Sequence, residues 1–210
     1  MAYLQTDVTK VTTRVLQNMK LHGEKIAMLT AYDYSMASLL ESTKIDVVLV
    51  GDSAANVMEG HKTTLPITLD EMIVYATSVV RAIKRALVVV DMPFGTYAVR
   101  ATEQEEADQV KRDALTLQEA GCFAIVLEKI PAKLAGEVTA ELKIPTIGIG
   151  AGADTDGQVL VLQDMLGITR QFKPRYLRTY GTFGEDIANA IRHYISDVKG
   201  GDFPNEKEQY

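Results

Sequence analysis

Three runs of apolar residues in this sequence each lead to an acidic side chain: Asp52, Asp91 or Glu128. If these runs are parallel strands, their carboxyl ends meet at one edge of a sheet, where α/β folds bind their ligands. Three carboxylates at one edge repel each other unless a cation lies between them or one of them holds a proton. Magnesium prefers such oxygen ligands and keeps coordination positions for water or substrate. The pattern therefore indicates a site for a hard cation such as Mg²⁺ at these strand ends.

A competing interpretation is that each acid caps a helix, because aspartate after a strand is a common N-cap residue. For Asp33 and Asp164, capping or solvation is the preferred interpretation. Asp52 differs because Gly51 precedes it and small residues follow it, which leaves room for a ligand close to the backbone. Asp91 is followed by Met-Pro, which is typical of a turn rather than of a helix start.

A glycine series, Gly148, Gly150 and Gly152, could bind phosphate through the loop after a late strand. The dinucleotide fingerprint, however, requires the first strand of a βαβ unit and a later ribose-binding acid, so close packing or a bulge is preferred here. The three histidines share no metal-ligand spacing, which disfavours a zinc site: His22, His61 and His193.

Six short apolar runs predict six parallel strands covered on both faces. They are Ile26–Thr30, Val47–Val50, Leu87–Val90, Ala124–Leu127, Thr146–Gly150 and Val159–Leu162. Capping-box pairs at Thr68–Glu71 and Thr102–Glu105 predict two helix starts between them. A helix over residues 10–20, another near Glu185–Val198 and a flexible tail over 200–210 complete the prediction of a single α/β domain, residues 1–210.

The composition limits the classes of function. With 210 residues, 47% hydrophobic and 24% charged, the chain can bury a substantial core. The net charge of −6 argues against a nucleic-acid surface. No run approaches the roughly 20 apolar residues of a membrane span, and the first ten residues lack a secretory signal pattern. A single cysteine, Cys122, suits a reducing compartment, so a cytoplasmic location is expected.

Several stretches, in order along the chain, together resemble the ketopantoate (3-methyl-2-oxobutanoate) hydroxymethyltransferase family. They are Lys25–Asp33, Val50–Ser53, Gly60–Pro66, Val90–Phe94, Ile125–Glu128, Gly148–Gly152 with Asp156–Gln158, and Phe172–Arg175. The resemblance implies a (β/α)8 TIM barrel that transfers a hydroxymethyl group from 5,10-methylenetetrahydrofolate to 3-methyl-2-oxobutanoate. The product is 2-dehydropantoate, in the first step of pantothenate biosynthesis. Magnesium, a cytoplasmic location and a homo-oligomer, a decamer in the family, are also implied.

The same resemblance assigns roles to individual residues. Asp52 and Asp91 match metal ligands that also contact the substrate, Ser53 matches a contact to the substrate carboxylate, and Glu128 matches the catalytic carboxylate. In these roles a metal-bound 2-oxo acid has its ketone polarised, and Glu128 removes the proton from the adjacent carbon.

The chain departs from the family at one place. Between Phe94 and Ala98 the sequence passes directly to a later part of the family pattern, and about two βα units, roughly 60 residues at about 30 per unit, are missing. The missing part carries the family's Lys-Leu-Glu-Gly-Gly strand end, with a substrate-binding lysine. An incomplete barrel of about six strands is therefore expected, and either its sheet stays open or another subunit closes it.

Two other functions are compatible with the residues. A shortened, catalytically impaired member would act only as an oligomerising or metal-binding fragment. A related Mg²⁺-dependent 2-oxo acid enzyme, of the phosphoenolpyruvate mutase or isocitrate lyase type, would also place aspartates at strand ends. The stretches Thr63–Pro66 and Ile149–Gly152 favour the hydroxymethyltransferase over this last alternative.

Overall fold

The computed structural model describes residues 9–91, 101–169 and 172–209. The chain divides into two compact units, Met1–Val161 and Leu162–Tyr210. None of the described helices combines the length and apolar character needed to cross a bilayer.

The first unit contains six strands and six helices in the described residues. The strands are β1 Ile26–Thr30, β2 Val47–Val50, β3 Leu87–Val90, β4 Ile125–Glu128, β5 Thr146–Ile149 and β6 Gly157–Leu160. The helices are α1 Thr13–His22, α2 Tyr34–Ser42, α3 Ala54–Val57, α4 Leu69–Ala82, α5 Gln104–Glu119 and α6 Ala132–Glu141. The predicted α/β class and the number of strands are confirmed.

All six strands are parallel and form one sheet in the order β3-β2-β1-β6-β5-β4. The first strand pairs with the last, with Ile26 opposite Gly157, as the first and last strands of a closed barrel do. Only β3 and β4, which follow each other along the chain, lie at opposite edges. The sheet is a curled half-barrel, and the missing βα units would have stood between these two strands. The predicted incomplete barrel is confirmed.

Two apolar clusters hold the sheet in place. In one, Leu16 and Met19 of α1 pack with strand residues, among them Val47 and Ile147. In the other, α6 packs with β4 through Leu134 and Leu127. The strands thus receive cover from helices, as continuous apolar runs require.

Some element boundaries differ from the prediction. The Thr68–Glu71 capping box at the start of α4 is confirmed, with both reciprocal hydrogen bonds present. The box predicted at Thr102–Glu105 is wrong, because α5 begins at Gln104 and the carboxylate of Glu106 instead accepts the N–H of Ala101 at 2.7 Å. The last strand ends at Leu160 rather than Leu162, because Leu162 already begins helix α7.

The second unit contains α7 Leu162–Met165 and α8 Phe183–Gly200. Helix α8 matches the predicted carboxy-terminal helix, extended at both ends. The helix ends at Gly201, whose left-handed backbone (φ 76°) allows its N–H to bond back to the last turn.

Candidate active site

Asp52 and Asp91 lie side by side because β2 and β3 are paired neighbours, with Val50 opposite Val90. The Asp91 N–H continues this pairing by donating to the Val50 carbonyl at 3.1 Å. The Asp52 N–H then donates to Oδ2 of Asp91 at 3.2 Å. Gly51 makes this approach feasible, because a Cβ there would come within 3.4 Å of Asp91 Oδ2 and 3.2 Å of Ser53 Oγ. The structure therefore brings the two predicted metal ligands together.

The Asp91 carboxyl lies in an environment that disfavours its charge. Burial, followed by the negative charges of Asp52 and Glu128, raises the pKa of Asp91 to about 7, against the opposing effect of the Asp52 N–H. Its Oδ1 atom is buried and has no hydrogen-bond partner in the described part of the chain. A buried acceptor without a partner is costly, so this oxygen is suited to a ligand that brings positive charge.

Ser53 follows Asp52 and stands at the N-cap position of the short helix α3. Its backbone is helical (φ −57°, ψ −11°), and its side chain makes no capping hydrogen bond. Instead its Oγ lies 2.7 Å from the phenolic oxygen of Tyr32, which follows β1. The serine hydroxyl is thus held at the site by a neighbouring strand end rather than by its own helix.

Glu128 is the last residue of β4, where Ile149 of β5 lies opposite it. Its side chain is 49% exposed, and Nζ of Lys129 lies 3.5 Å from its Oε1. Lys129 adopts a left-handed backbone (φ 49°), while its N–H donates to the Ile149 carbonyl at 2.9 Å. Because all six strands are parallel, Glu128 lies at the same rim of the half-barrel as Asp52 and Asp91, although β4 and β3 are at opposite edges of the sheet.

The donor set at this rim fits a hard divalent cation. Asp52 and Asp91 offer carboxylate oxygens, and the unpartnered Oδ1 of Asp91 is available as a ligand. No cluster of three or more acidic, histidine or cysteine side chains suited to a metal occurs among the described residues. Two protein ligands agree with magnesium, which commonly keeps several positions for water and substrate.

Asp33 and Asp164, the two acids for which capping or solvation is predicted, differ in their surroundings. Asp33 caps α2 by accepting the N–H of Met36 at 2.9 Å, as predicted. The prediction of capping or solvation for Asp164 is wrong, because this residue lies within α7 rather than before it and is only 5% exposed. Burial raises its pKa, and a hydrogen bond from Thr169 opposes the shift.

The glycine series has a packing role. A Cβ at Gly148 would come within 2.7 Å of Thr155 Oγ1. Gly152 has φ +82°, and a Cβ there would come within 2.4 Å of the Cβ of Ala132. These close approaches account for both glycines without a phosphate, as the preferred interpretation held.

Sequence reasoning missed Tyr32 and Lys129 as members of the site. Tyr32 lies within the family-like stretch Lys25–Asp33, where its apolar ring gives no chemical signal of its own. The available signal was its position directly after β1, at the strand end where the other site residues were sought.

The profile of the family described as ketopantoate hydroxymethyltransferase matches residues 10–103 and, in a second match, 94–206. Relatives named 3-methyl-2-oxobutanoate hydroxymethyltransferase include those of Cytophaga hutchinsonii and Bacteroides fragilis, each 48% identical to this chain. The alignments span 272 and 270 positions and cover 100% and 99% of both proteins.

These alignments also locate the shortened region. The 272 aligned positions exceed the 210 residues of this chain by 62, close to the predicted loss of about two βα units. The two profile matches overlap at residues 94–103, which include the predicted junction Gly95-Thr96-Tyr97. The predicted internal shortening is therefore confirmed, although the junction itself lies outside the described residues.

Among solved structures, a phosphonopyruvate hydrolase complex with oxalate and Mg²⁺ matches with a TM-score of 0.42 and 13% identity, over 93% of this chain and 92% of the other. A phosphoenolpyruvate phosphomutase from Streptomyces platensis matches with a TM-score of 0.41. Such values carry no argument about function, whereas the names of the 48% identical relatives favour the transferase over the mutase-type alternative.

Proposed function

Because the chain belongs to the ketopantoate hydroxymethyltransferase family, we propose that it makes 2-dehydropantoate for pantothenate biosynthesis. The donor is 5,10-methylenetetrahydrofolate and the acceptor is 3-methyl-2-oxobutanoate. The observation that carries the proposal is the 48% identity with named hydroxymethyltransferases along the whole chain. The contact between Asp52 and Asp91, and the position of Ser53 and Glu128 at carboxyl ends of the same parallel sheet, support it.

Magnesium is the proposed cofactor, with Asp52 and Asp91 as the residues that would hold it. When bound, it would polarise the ketone of the 2-oxo acid and make the proton on the adjacent carbon more acidic. Asp91 suits this role because its buried Oδ1 has no other partner in the described chain. Asp52 suits it because its N–H already fixes the Asp91 carboxylate.

Glu128 is the proposed general base. Its carboxylate takes the C3 proton of the 2-oxo acid, and the resulting enolate carbon forms the new bond to the one-carbon unit of the folate. Before this bond forms, one water breaks both C–N bonds of the one-carbon unit, so that tetrahydrofolate leaves and the water oxygen stays on the carbon. The alkoxide formed in the attack then takes the proton from Glu128 and becomes the new hydroxyl group. The half-exposed position of Glu128 at the end of β4 leaves its carboxylate open to a substrate.

Ser53 is the proposed donor to the substrate carboxylate. Its hydroxyl does not cap α3, so it is directed to the strand ends where the acid would bind. A cytoplasmic location and a homo-oligomer, a decamer in the family, complete the proposal. These two features rest on family membership.

The proposal is tested by exchange of the C3 proton of 3-methyl-2-oxobutanoate, followed by NMR with and without Mg²⁺ and folate. Circular dichroism and sedimentation first establish that the sample is folded and not aggregated. We expect Mg²⁺-dependent exchange that Glu128→Gln abolishes and Asp164→Asn retains. A folded chain that exchanges no proton would instead be a catalytically impaired family member.

A further inference from the structure

Tyr32 is one of the most completely buried large side chains in the described chain, with 1% exposure. Its phenolic oxygen nevertheless lies beside a polar group of the site, 2.7 Å from Ser53 Oγ. Two hydroxyls at this distance form one hydrogen bond, in which one hydroxyl donates its proton and the other accepts. The accepting hydroxyl can still donate its own proton to another group. The direction of this hydrogen bond decides what Ser53 can offer to a ligand.

The Ser53 hydroxyl does not make the helix-capping hydrogen bond that is common at its position. A serine at an N-cap commonly accepts a backbone N–H of the first helical turn, which stabilises the helix. Ser53 makes no such bond to α3. Its hydroxyl orientation therefore depends on Tyr32.

We propose that Tyr32 is a positioning residue that donates its phenolic proton to Ser53 Oγ, so that the Ser53 O–H is left to donate to the carboxylate of the 2-oxo acid. The inference rests on the proposed function, since it assigns the polarity of a substrate contact in that site. Phenol is the stronger acid of the two hydroxyls, which favours donation in this direction.

The position of the Tyr32 ring is held by the backbone next to it and by a contact with another ring. Ala31, the residue before it, donates its N–H to the Leu49 carbonyl at 3.0 Å and so extends the pairing of β1 with β2. The ring of Tyr75 in α4 meets the Tyr32 ring edge-on, with centroids 6.1 Å apart and an interplanar angle of 76°. The Tyr75 hydroxyl in turn donates to Oε1 of Glu59 at 3.0 Å. The phenol is thus rigid enough to orient a small hydroxyl.

The test compares Tyr32→Phe with wild type in steady-state kinetics. The variant keeps the ring and removes the hydrogen bond to Ser53, so we expect KM for 3-methyl-2-oxobutanoate to rise about 2- to 12-fold while kcat changes less than about twofold. In Tyr32→Phe/Ser53→Ala, KM should equal that of Ser53→Ala alone, because both changes remove one contact. An unchanged KM in Tyr32→Phe, or effects of the two changes that multiply, would overturn the proposal.

A matched control separates positioning from general stability. Thr139 and Thr146 form a hydroxyl pair with the same 2.7 Å separation, in a buried rather than a part-buried position. Thr139→Val removes this hydrogen bond and the one that Thr139 donates to the Ala135 carbonyl at 2.7 Å, so it should lower the urea midpoint without changing KM. A KM increase in Thr139→Val as large as that in Tyr32→Phe would show that the effect is only structural and would overturn the proposal.

Calorimetric binding of 3-methyl-2-oxobutanoate in the presence of Mg²⁺ keeps the two proposals distinguishable. If wild type exchanges no C3 proton, the proposed function fails, and the role of Tyr32 is decided by affinity alone. Weaker binding by Tyr32→Phe than by wild type supports the positioning role. Equal affinities, or no binding by wild type, overturn it.

Discussion

The central and edge strands of the half-barrel have similar apolar sequences but different surroundings. In β2, Val47, Val48 and Val50 are completely buried. In the edge strands, Val90 of β3 is 43% exposed and Val126 of β4 is 49% exposed. Among the described strands, β3 and β4 each pair on one side only. The exposure therefore follows from the missing neighbours rather than from the residue types.

This difference means that the edge strands still carry the composition of closed-barrel strands. Natural sheets commonly protect an edge with charge, proline or a bulge. The run Leu87–Val90 has none of these, and β4 acquires a charge only at its last residue, Glu128. The shortened chain thus leaves apolar strand edges without the usual protection.

Restoring the missing segment should remove the difference in exposure between the central and edge strands. We expect that inserting the corresponding residues of the Cytophaga hutchinsonii relative near Gly95–Tyr97 buries Val90 and Val126. It should also return the family's substrate lysine, and a charge-assisted contact of about 1.5–3 kcal/mol would tighten 2-oxo acid binding about 10- to 150-fold. Calorimetry measures the affinity, and an insertion that leaves it unchanged would contradict this account of the loss.

The contribution of a central and an edge strand to the free energy of unfolding is compared by the same substitution, valine to alanine, in β2 and in β4. Val48→Ala removes buried methyl groups and leaves a cavity, so it should lower the free energy of unfolding by about 2 kcal/mol. Val126→Ala at the edge should change it by less than about 0.5 kcal/mol. Urea unfolding of both variants measures the difference. Equal losses would show that β4 is covered in solution, for example by another copy of the chain.

The β3 edge should also respond to magnesium. At a Mg²⁺ concentration ten times its Kd, binding to the folded state should add about 1.4 kcal/mol to stability, seen as a higher Tm. Asp91→Asn should lose this response, and removal of the metal with EDTA should reverse it in wild type. Asp164→Asn, a change of a buried aspartate in the other unit, serves as the control and should keep the response.

The smallest effect is expected from the pH dependence contributed by Asp164. Burial raises its folded pKa above the unfolded value, so the folded state binds the proton more tightly and stability falls as pH rises between the two values. Asp164→Asn should therefore raise Tm at pH 8 and leave it nearly unchanged at pH 4. Thermal unfolding at the two pH values measures this, and a variant less stable at pH 8 would reverse the sign.

The sequence was sufficient to predict β1, β2 and β3 to the residue, because each is an apolar run with polar or small residues at its ends. It did not predict the end of β6, since Leu162 is as apolar as a strand residue and only packing places it in α7. Gly157 was also left out of β6, although a Cβ there would come within 2.6 Å of Ile147 Cδ1. Close approaches of this kind depend on the neighbouring strand.

The site, like the strands, could be predicted only in part. Asp52 and Asp91 could be placed together because consecutive strands of a parallel α/β fold are commonly neighbours. The Tyr32–Ser53 hydrogen bond could not be predicted, because it joins two hydroxyls across different strand ends and depends on side-chain rotamers. The burial of Asp164 likewise depends on how α7 packs, which a local acidic pattern does not reveal.

The pairing of β1 with β6 constrains when this chain can fold. Ile26 and Gly157 are 131 positions apart, so the ribosome needs roughly 7–26 s to synthesise the partner of the first strand after the first strand itself. During this interval β1 can pair only with β2. In the longer relatives, the aligned partner would arrive after about 62 further residues. The shortened chain therefore spends less of its synthesis with one side of its first strand unpaired, even though two of the described strands, β3 and β4, pair on one side only in the finished sheet.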